Sequence, residues 1–322
     1  MIDRNNIRVP LDVPPAMRDE YLDNFILMTK GTGHLMLFAG DQKVEHMNSD
    51  FVGENELGTI PEDDADPEHM FRIASGSTIG VYATQMGMVS MYGADYPDVP
   101  YLVKLNSKTN LVKTKTVDPF SNLWLDVDRV AAMKQDSELK IPAVGYTIYL
   151  GSTFEAQMLE QAARLVNDAH RHGILVVLWI YPRGQSVADE KDPHLIAGAT
   201  GVALTLGADF VKVNYPRAEG KESSEVFKEA VAAAGRTRVV CAGGSSTDSR
   251  AFLQRLHDQI HISGAQGNAT GRNIHQKPLD EAVRMCNAIS AITLADMSVD
   301  EAFEIYEGDR TLDLKVAEGR TP

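Results

Sequence analysis

Ala208-Asp-Phe-Val-Lys-Val-Asn-Tyr215 reads as a buried β-strand with one lysine, Lys212, at its centre. Gly207 and Pro216 bracket an apolar, β-branched run. Side chains alternate along a strand, so Phe210, Lys212 and Asn214 share one face, and Val211, Val213 and Tyr215 the other. Desolvation disfavours a charged lysine, and a neutral amine in a dry pocket attacks a carbonyl to form a Schiff base. Taken alone, the stretch also fits an edge strand whose lysine snorkels to water.

Working outward, strand-like runs recur at 34–39, 79–84, 101–106, 143–150, 174–181, 208–215, 238–242 and 265–270. Helical periodicity fills most intervals, at 67–75, 126–134, 154–172, 194–206, 224–234, 247–260 and 280–293. Eight such units in this length predict a single-domain α/β chain, a (β/α)8 TIM barrel. A doubly wound sheet would place G-x-G-x-x-G after its first strand, where this chain has Phe38-Ala-Gly-Asp41. The expected organisation is an N-terminal arm and helix over 1–33, a catalytic barrel over 34–295, and a C-terminal helix and tail over 296–322. Residues 42–66 read as a long polar loop, and the Lys-Thr alternation within 107–125 as a small β-hairpin.

The net charge of −14 argues against a nucleic-acid partner and against an anionic membrane surface. No apolar run is long enough to span a bilayer, and Met1-Ile-Asp-Arg-Asn-Asn-Ile-Arg8 lacks an apolar signal core, so the expected location is the cytoplasm. Cys241 and Cys286 lack metal-ligand spacing and read as small core residues.

In a barrel of this kind the site lies at the C-terminal ends of the strands. There the sequence places Asp41, Lys104, Trp179, Tyr181, Arg183, Lys212, Gly243-Gly244 and Gly271-Arg272. Each has a plain structural reading alone; their joint placement does not. Glycines after strands seven and eight let backbone N–H groups approach an anion, and Arg272 adds a bidentate donor. The expected ligand is therefore a small phosphorylated molecule, with Lys212 supplying the amine that captures its carbonyl. Lys104, a neighbouring cation, would favour the neutral form of Lys212 and position substrate. Nearby Lys and Arg charges would likewise pull the Tyr181 phenol below its ordinary value of about 10. A Schiff base is its own electron sink, so no metal or other cofactor is expected, and Glu45 with His46 reads as a hydrogen-bonded loop pair.

Val144-Gly-Tyr-Thr-Ile-Tyr149, Trp179-Ile-Tyr-Pro-Arg-Gly184, the lysine strand, Gly243-Gly244 and Gly271-Arg-Asn273 together resemble the archaeal-type class I fructose-1,6-bisphosphate aldolases. The resemblance runs from about His34 to Asn287. It implies that Lys212 forms the Schiff base, that Tyr181 transfers a proton, and that Asp41 assists at the hydroxyl where the carbon–carbon bond breaks. It further implies that Gly243, Gly244, Gly271 and Arg272 hold the ketose phosphate, that Trp179 and Arg183 line the rest of the pocket, and that the protein is a ring-based homo-oligomer. The first loop departs from the family: Asp41-Gln-Lys-Val-Glu-His46 stands where Asp-His-Gly before Glu-His is common. Ser245 follows the glycine pair where many relatives have proline. Enzymes making an aminodeoxyheptulosonate, and a thiolase acting on a phosphorylated dione, share the lysine strand. A third alternative is an inert structural homologue, in which the lysine would not trap.

Overall fold

The computed structural model describes residues 1–314, and the tail expected beyond them lies outside the described residues. Eight parallel strands close on themselves: β1 Leu35–Ala39, β2 Val81–Gln85, β3 Tyr101–Lys104, β4 Ala143–Leu150, β5 Leu175–Pro182, β6 Phe210–Val213, β7 Arg238–Ala242 and β8 Gly267–Thr270. Each pairs with its neighbours in sequence, and β1 pairs with β8 to complete the barrel. The expected (β/α)8 fold is the one present.

Strand alternation separates two cores. Leu37, Ala83, Leu102, Ala143, Val177, Phe210 and Val240 pack in one cluster on the barrel axis. Phe38, Tyr82, Val103, Val144, Leu178, Val211 and Val213 belong to the other, against the outer helices. Helix Glu155–Arg171 illustrates the outer layer: Met158, Ala162, Leu165, Val166 and Ala169 are its buried stripe, at helical spacing. Helix α1, Arg18–Thr29, has a different job. Its Tyr21, Phe25 and Met28 join the axial cluster, so this helix plugs the N-terminal end of the barrel. No helix among the described residues is long and apolar enough to cross a membrane.

Two expectations fail locally, and one helix is additional. Residues 42–66 are not one loop: they hold a helical turn Gln42–Glu45, a two-residue hairpin Glu54–Asn55 with Gly58–Thr59, and a 3-10 turn Glu62–Ala65. Buried Phe51 and Ile60 anchor this polar stretch, and Phe51 stacks on His275 at 5.0 Å. The 107–125 excursion is not a hairpin either. It carries a single bridge, Asn106 with Leu123, because its Lys-Thr alternation has no apolar face to bury. Helix Met86–Tyr92, after β2, was not expected.

Candidate active site

Strand register decides which side chains meet at the C-terminal mouth. Trp179 on β5 pairs with Lys212 on β6, and Lys104 on β3 pairs with Gly145 on β4. Gly145 is required here: a Cβ would lie 2.6 Å from the Trp179 ring and 2.9 Å from the Lys104 stem. The missing side chain lets Trp179 and Lys104 meet across the axis, with the Lys104 ammonium 4.0 Å and the Lys212 amine 5.3 Å from the indole centroid.

Both lysines are buried, at 1% and 6% exposure. Their partners differ. Lys104 donates to Thr147 Oγ1 at 2.6 Å and faces Asp41 Oδ2 at 3.4 Å. Lys212 has no hydrogen-bond or ion-pair partner among the described residues. Burial pushes its pKa down. Asp41 works against that shift, and Lys104 adds to it. Burial alone would raise the Asp41 carboxyl, yet the charges of Lys104 and Lys212 override it and hold it below the usual range. The site thus pairs an ionised acid with an amine biased toward its neutral, nucleophilic form.

A cleft of about 150 Å³ opens over this floor. Asp41, Trp179, Tyr181, Arg183, Lys212, Gly243, Gly244, Gly271 and Arg272 all line it, together with Asn214. Lys104 alone of the expected set does not reach the cleft and sits beneath Asp41. The short helical turn Arg272–His275 follows Gly271 at once, whereas the helix after Gly243-Gly244 begins only at Ser249. Arg272 Nε stands 3.7 Å from Asp50. Arg183 is held by Glu190, its Nε 2.9 Å from both carboxylate oxygens.

Two expectations about these groups need correction. The Tyr181 phenol is pushed up, not down: burial is the largest cause, the charges of Glu45 and Asp41 add to it, and Arg183 opposes them without prevailing. Glu45 and His46 do not pair with each other. His46 Nδ1 meets Asp50, and Glu45 Oε1 accepts from Ser107 Oγ at 3.2 Å. Burial, reinforced by Asp41, keeps the Glu45 carboxyl above the usual carboxylate range.

Sequence reasoning missed Gln42, Glu45 and His46 as lining residues, since the polar 42–66 stretch gave no register for its turns. Thr147 was within reach: it follows Ala143 and Gly145 by steps of two on β4, so the same alternation puts it on the inner face. Among the described residues, no three His, Cys, Asp or Glu side chains are grouped to hold a metal ion.

The model of the DeoC/LacD family aldolases matches residues 35–277. A Methanocaldococcus jannaschii protein named fructose-bisphosphate aldolase/6-deoxy-5-ketofructose 1-phosphate synthase is 56% identical over 309 residues, covering 96% of this chain and 97% of the relative. A solved fructose-bisphosphate aldolase from Slackia heliotrinireducens is 56% identical, with a TM-score of 0.94 over 97% of both chains. A solved archaeal fructose-1,6-bisphosphate aldolase, described as having its catalytic lysine covalently bound to the carbinolamine intermediate, is 32% identical with a TM-score of 0.71. It covers 84% of this chain and 98% of its own.

Proposed function

This chain belongs to the DeoC/LacD aldolase family, as a class I, Schiff-base-forming carbon–carbon lyase, and from that premise we propose that it reversibly cleaves fructose 1,6-bisphosphate through Lys212. The observation that carries the assignment of the nucleophile is the contrast between two buried lysines. Lys104 is hydrogen-bonded and faces a carboxylate, while Lys212 is unpartnered, lines the cleft, and has its pKa lowered by burial.

In this reading the Lys212 amine adds to the ketose C2 carbonyl and water leaves, giving a protonated Schiff base. The C3–C4 bond then breaks. Its electron pair flows into the iminium to form an enamine, the C4 hydroxyl proton passes to ionised Asp41, and glyceraldehyde 3-phosphate departs. Tyr181, its phenol kept protonated by its surroundings, donates to C3 of the enamine. Water then releases dihydroxyacetone phosphate, whose phosphate rests at Gly243, Gly244, Gly271 and Arg272.

A specific observation favours a second reading of the departing half. Arg183, the second arginine lining the cleft, is engaged in a bidentate contact with Glu190, which leaves little free positive charge for a second phosphate. That favours a sugar 1-phosphate whose aldehyde half carries no phosphate, in keeping with the second activity in the name of the M. jannaschii relative.

Borohydride reduction with dihydroxyacetone phosphate, followed by peptide mass spectrometry, is expected to place the adduct on Lys212. An adduct on Lys104 would reverse the assignment. Comparing kcat/KM for fructose 1,6-bisphosphate and fructose 1-phosphate separates the two substrate readings: a strong preference for the bisphosphate sinks the second.

A further inference from the structure

Seven buried side-chain polar atoms among the described residues lack a hydrogen-bond partner, and two of them belong to residues lining the cleft. One is a donor, Trp179 Nε1; the other is an acceptor, Gln42 Oε1. A desolvated amide carbonyl with nothing to accept is costly, and one on a residue lining a cleft is open to completion by a ligand. Gln42 is also placed by the site itself. It opens the helical turn Gln42–Glu45 directly after Asp41. Its amide fills the space over Gly271, where a Cβ would lie 2.2 Å from Nε2. A Cβ there would also lie 2.8 Å from the Ala39 carbonyl, so the glycine admits both the close approach of β1 and the Gln42 amide beside the Gly271-Arg272 corner.

We propose that Gln42 is a specificity residue that accepts a hydrogen bond from the carbinol hydroxyl of the ketone held on Lys212. This rests on the Schiff-base reading above. The placement selects the hydroxyl. Gln42 lines the same cleft as Lys212 and lies against Gly271, so a phosphate at Gly271-Arg272 would put the triose half attached to the lysine next to it. That half has one free hydroxyl, the one that becomes the C3 hydroxyl of the ketose. A turn of the Gln42 amide toward the cleft brings its orphaned carbonyl onto that donor, so the carbonyl gives up no hydrogen bond within the protein to bind substrate. A ketone with a methyl group in place of the carbinol leaves the amide unsatisfied and is discriminated against.

The test is a ratio within one sample, which cancels any misfolded fraction. Aldol-direction kcat/KM with a common aldehyde is measured for dihydroxyacetone phosphate and for acetol phosphate, the analogue lacking the hydroxyl. Wild-type protein is expected to prefer the hydroxylated ketone by about 10-fold or more, the scale of one buried hydrogen bond. Gln42→Met, close in shape but without the acceptor, should bring the ratio near unity, with the loss falling on dihydroxyacetone phosphate. Gln42→Leu serves if the methionine variant expresses poorly. An unchanged ratio, while borohydride still traps both ketones on Lys212, overturns the role of Gln42 and leaves the Schiff-base reading standing. Failure of the wild-type protein to trap either ketone on Lys212 overturns both.

Discussion

The two ends of the barrel both bury charge, and they treat it in opposite ways. At the N-terminal end the Asp209 carboxylate accepts from the Tyr21 hydroxyl, from His170 Nε2 at 3.1 Å and from the Val176 amide at 2.8 Å. His170 reaches Asp12 with its other nitrogen at 2.8 Å, tying the N-terminal arm to the barrel floor. Every member has a partner. At the C-terminal mouth Lys212 has none, Trp179 Nε1 and Gln42 Oε1 are orphaned, and the Tyr181 phenol is held above its ordinary range. Satisfied buried polar groups fix a structure; unsatisfied ones around a cleft are poised for something that arrives. The comparison predicts that substitutions at the mouth cost activity and little stability, and that those at the floor do the reverse.

Lys212→Met should show the largest effect. Turnover and borohydride labelling are expected to vanish, while thermal stability stays level or rises, because an unpartnered buried amine is replaced by an apolar chain of similar length. A variant that unfolds several degrees lower would mean that Lys212 supports the fold like a floor residue, and the contrast between the two ends would collapse.

Tyr181→Phe comes next. A general acid contributes roughly 10²–10⁴-fold, so turnover should fall on that order while Schiff-base trapping with dihydroxyacetone phosphate persists. Near-normal turnover would reduce Tyr181 to packing against Tyr149, whose ring centroid is 6.5 Å away, and would move proton transfer to Asp41.

The barrel was legible because β-alternation survives burial. Lys212 among valines, Trp179 and Tyr181 two apart, and glycines at strand ends each carry a phase that fixes which way they point. What escaped lacks such a phase. Gln42 and Glu45 sit on a four-residue helical turn inside a polar stretch, where no periodicity distinguishes an inward side chain from a solvated one. The direction of the Tyr181 shift escaped for a different reason. Sequence shows the nearby cations but not the depth of burial or the approach of the Glu45 and Asp41 charges, and those outweigh Arg183. The floor network was invisible because its members come from residues 12, 21, 170 and 209, which only the fold brings together.

Asp209→Ala tests the floor directly. It removes the acceptor shared by Tyr21, His170 and the Val176 amide, leaving buried donors unmet. Removing one member of a buried pair typically costs about 3–5 kcal/mol, so denaturant midpoints should fall accordingly. The kcat of the fraction that remains folded should be close to wild type, since the mouth lies at the other end of the strands. A large loss of kcat at full folding would show that the two ends are coupled.

The smallest expected effect is a pH dependence set by His170. Burial works against its charge, but the Asp209 and Asp12 carboxylates override burial and raise its pKa from 6.5 to about 9. The folded protein therefore holds this proton more tightly than the unfolded chain does. The resulting stabilisation is fully present below about 6.5 and is lost as pH rises through about 9. A shift of that size corresponds to roughly 3.5 kcal/mol at most, because one pKa unit is about 1.4 kcal/mol. Urea midpoints of wild type and His170→Gln, compared at pH 6, 7.5 and 9.5, isolate this group from everything else that titrates. The gap between the two proteins should be widest at the lowest pH and close as pH rises. A gap constant across the range would mean that His170 holds the arm by neutral hydrogen bonds alone. The floor would then be a dry polar network rather than an ion triad, though still satisfied where the mouth is not.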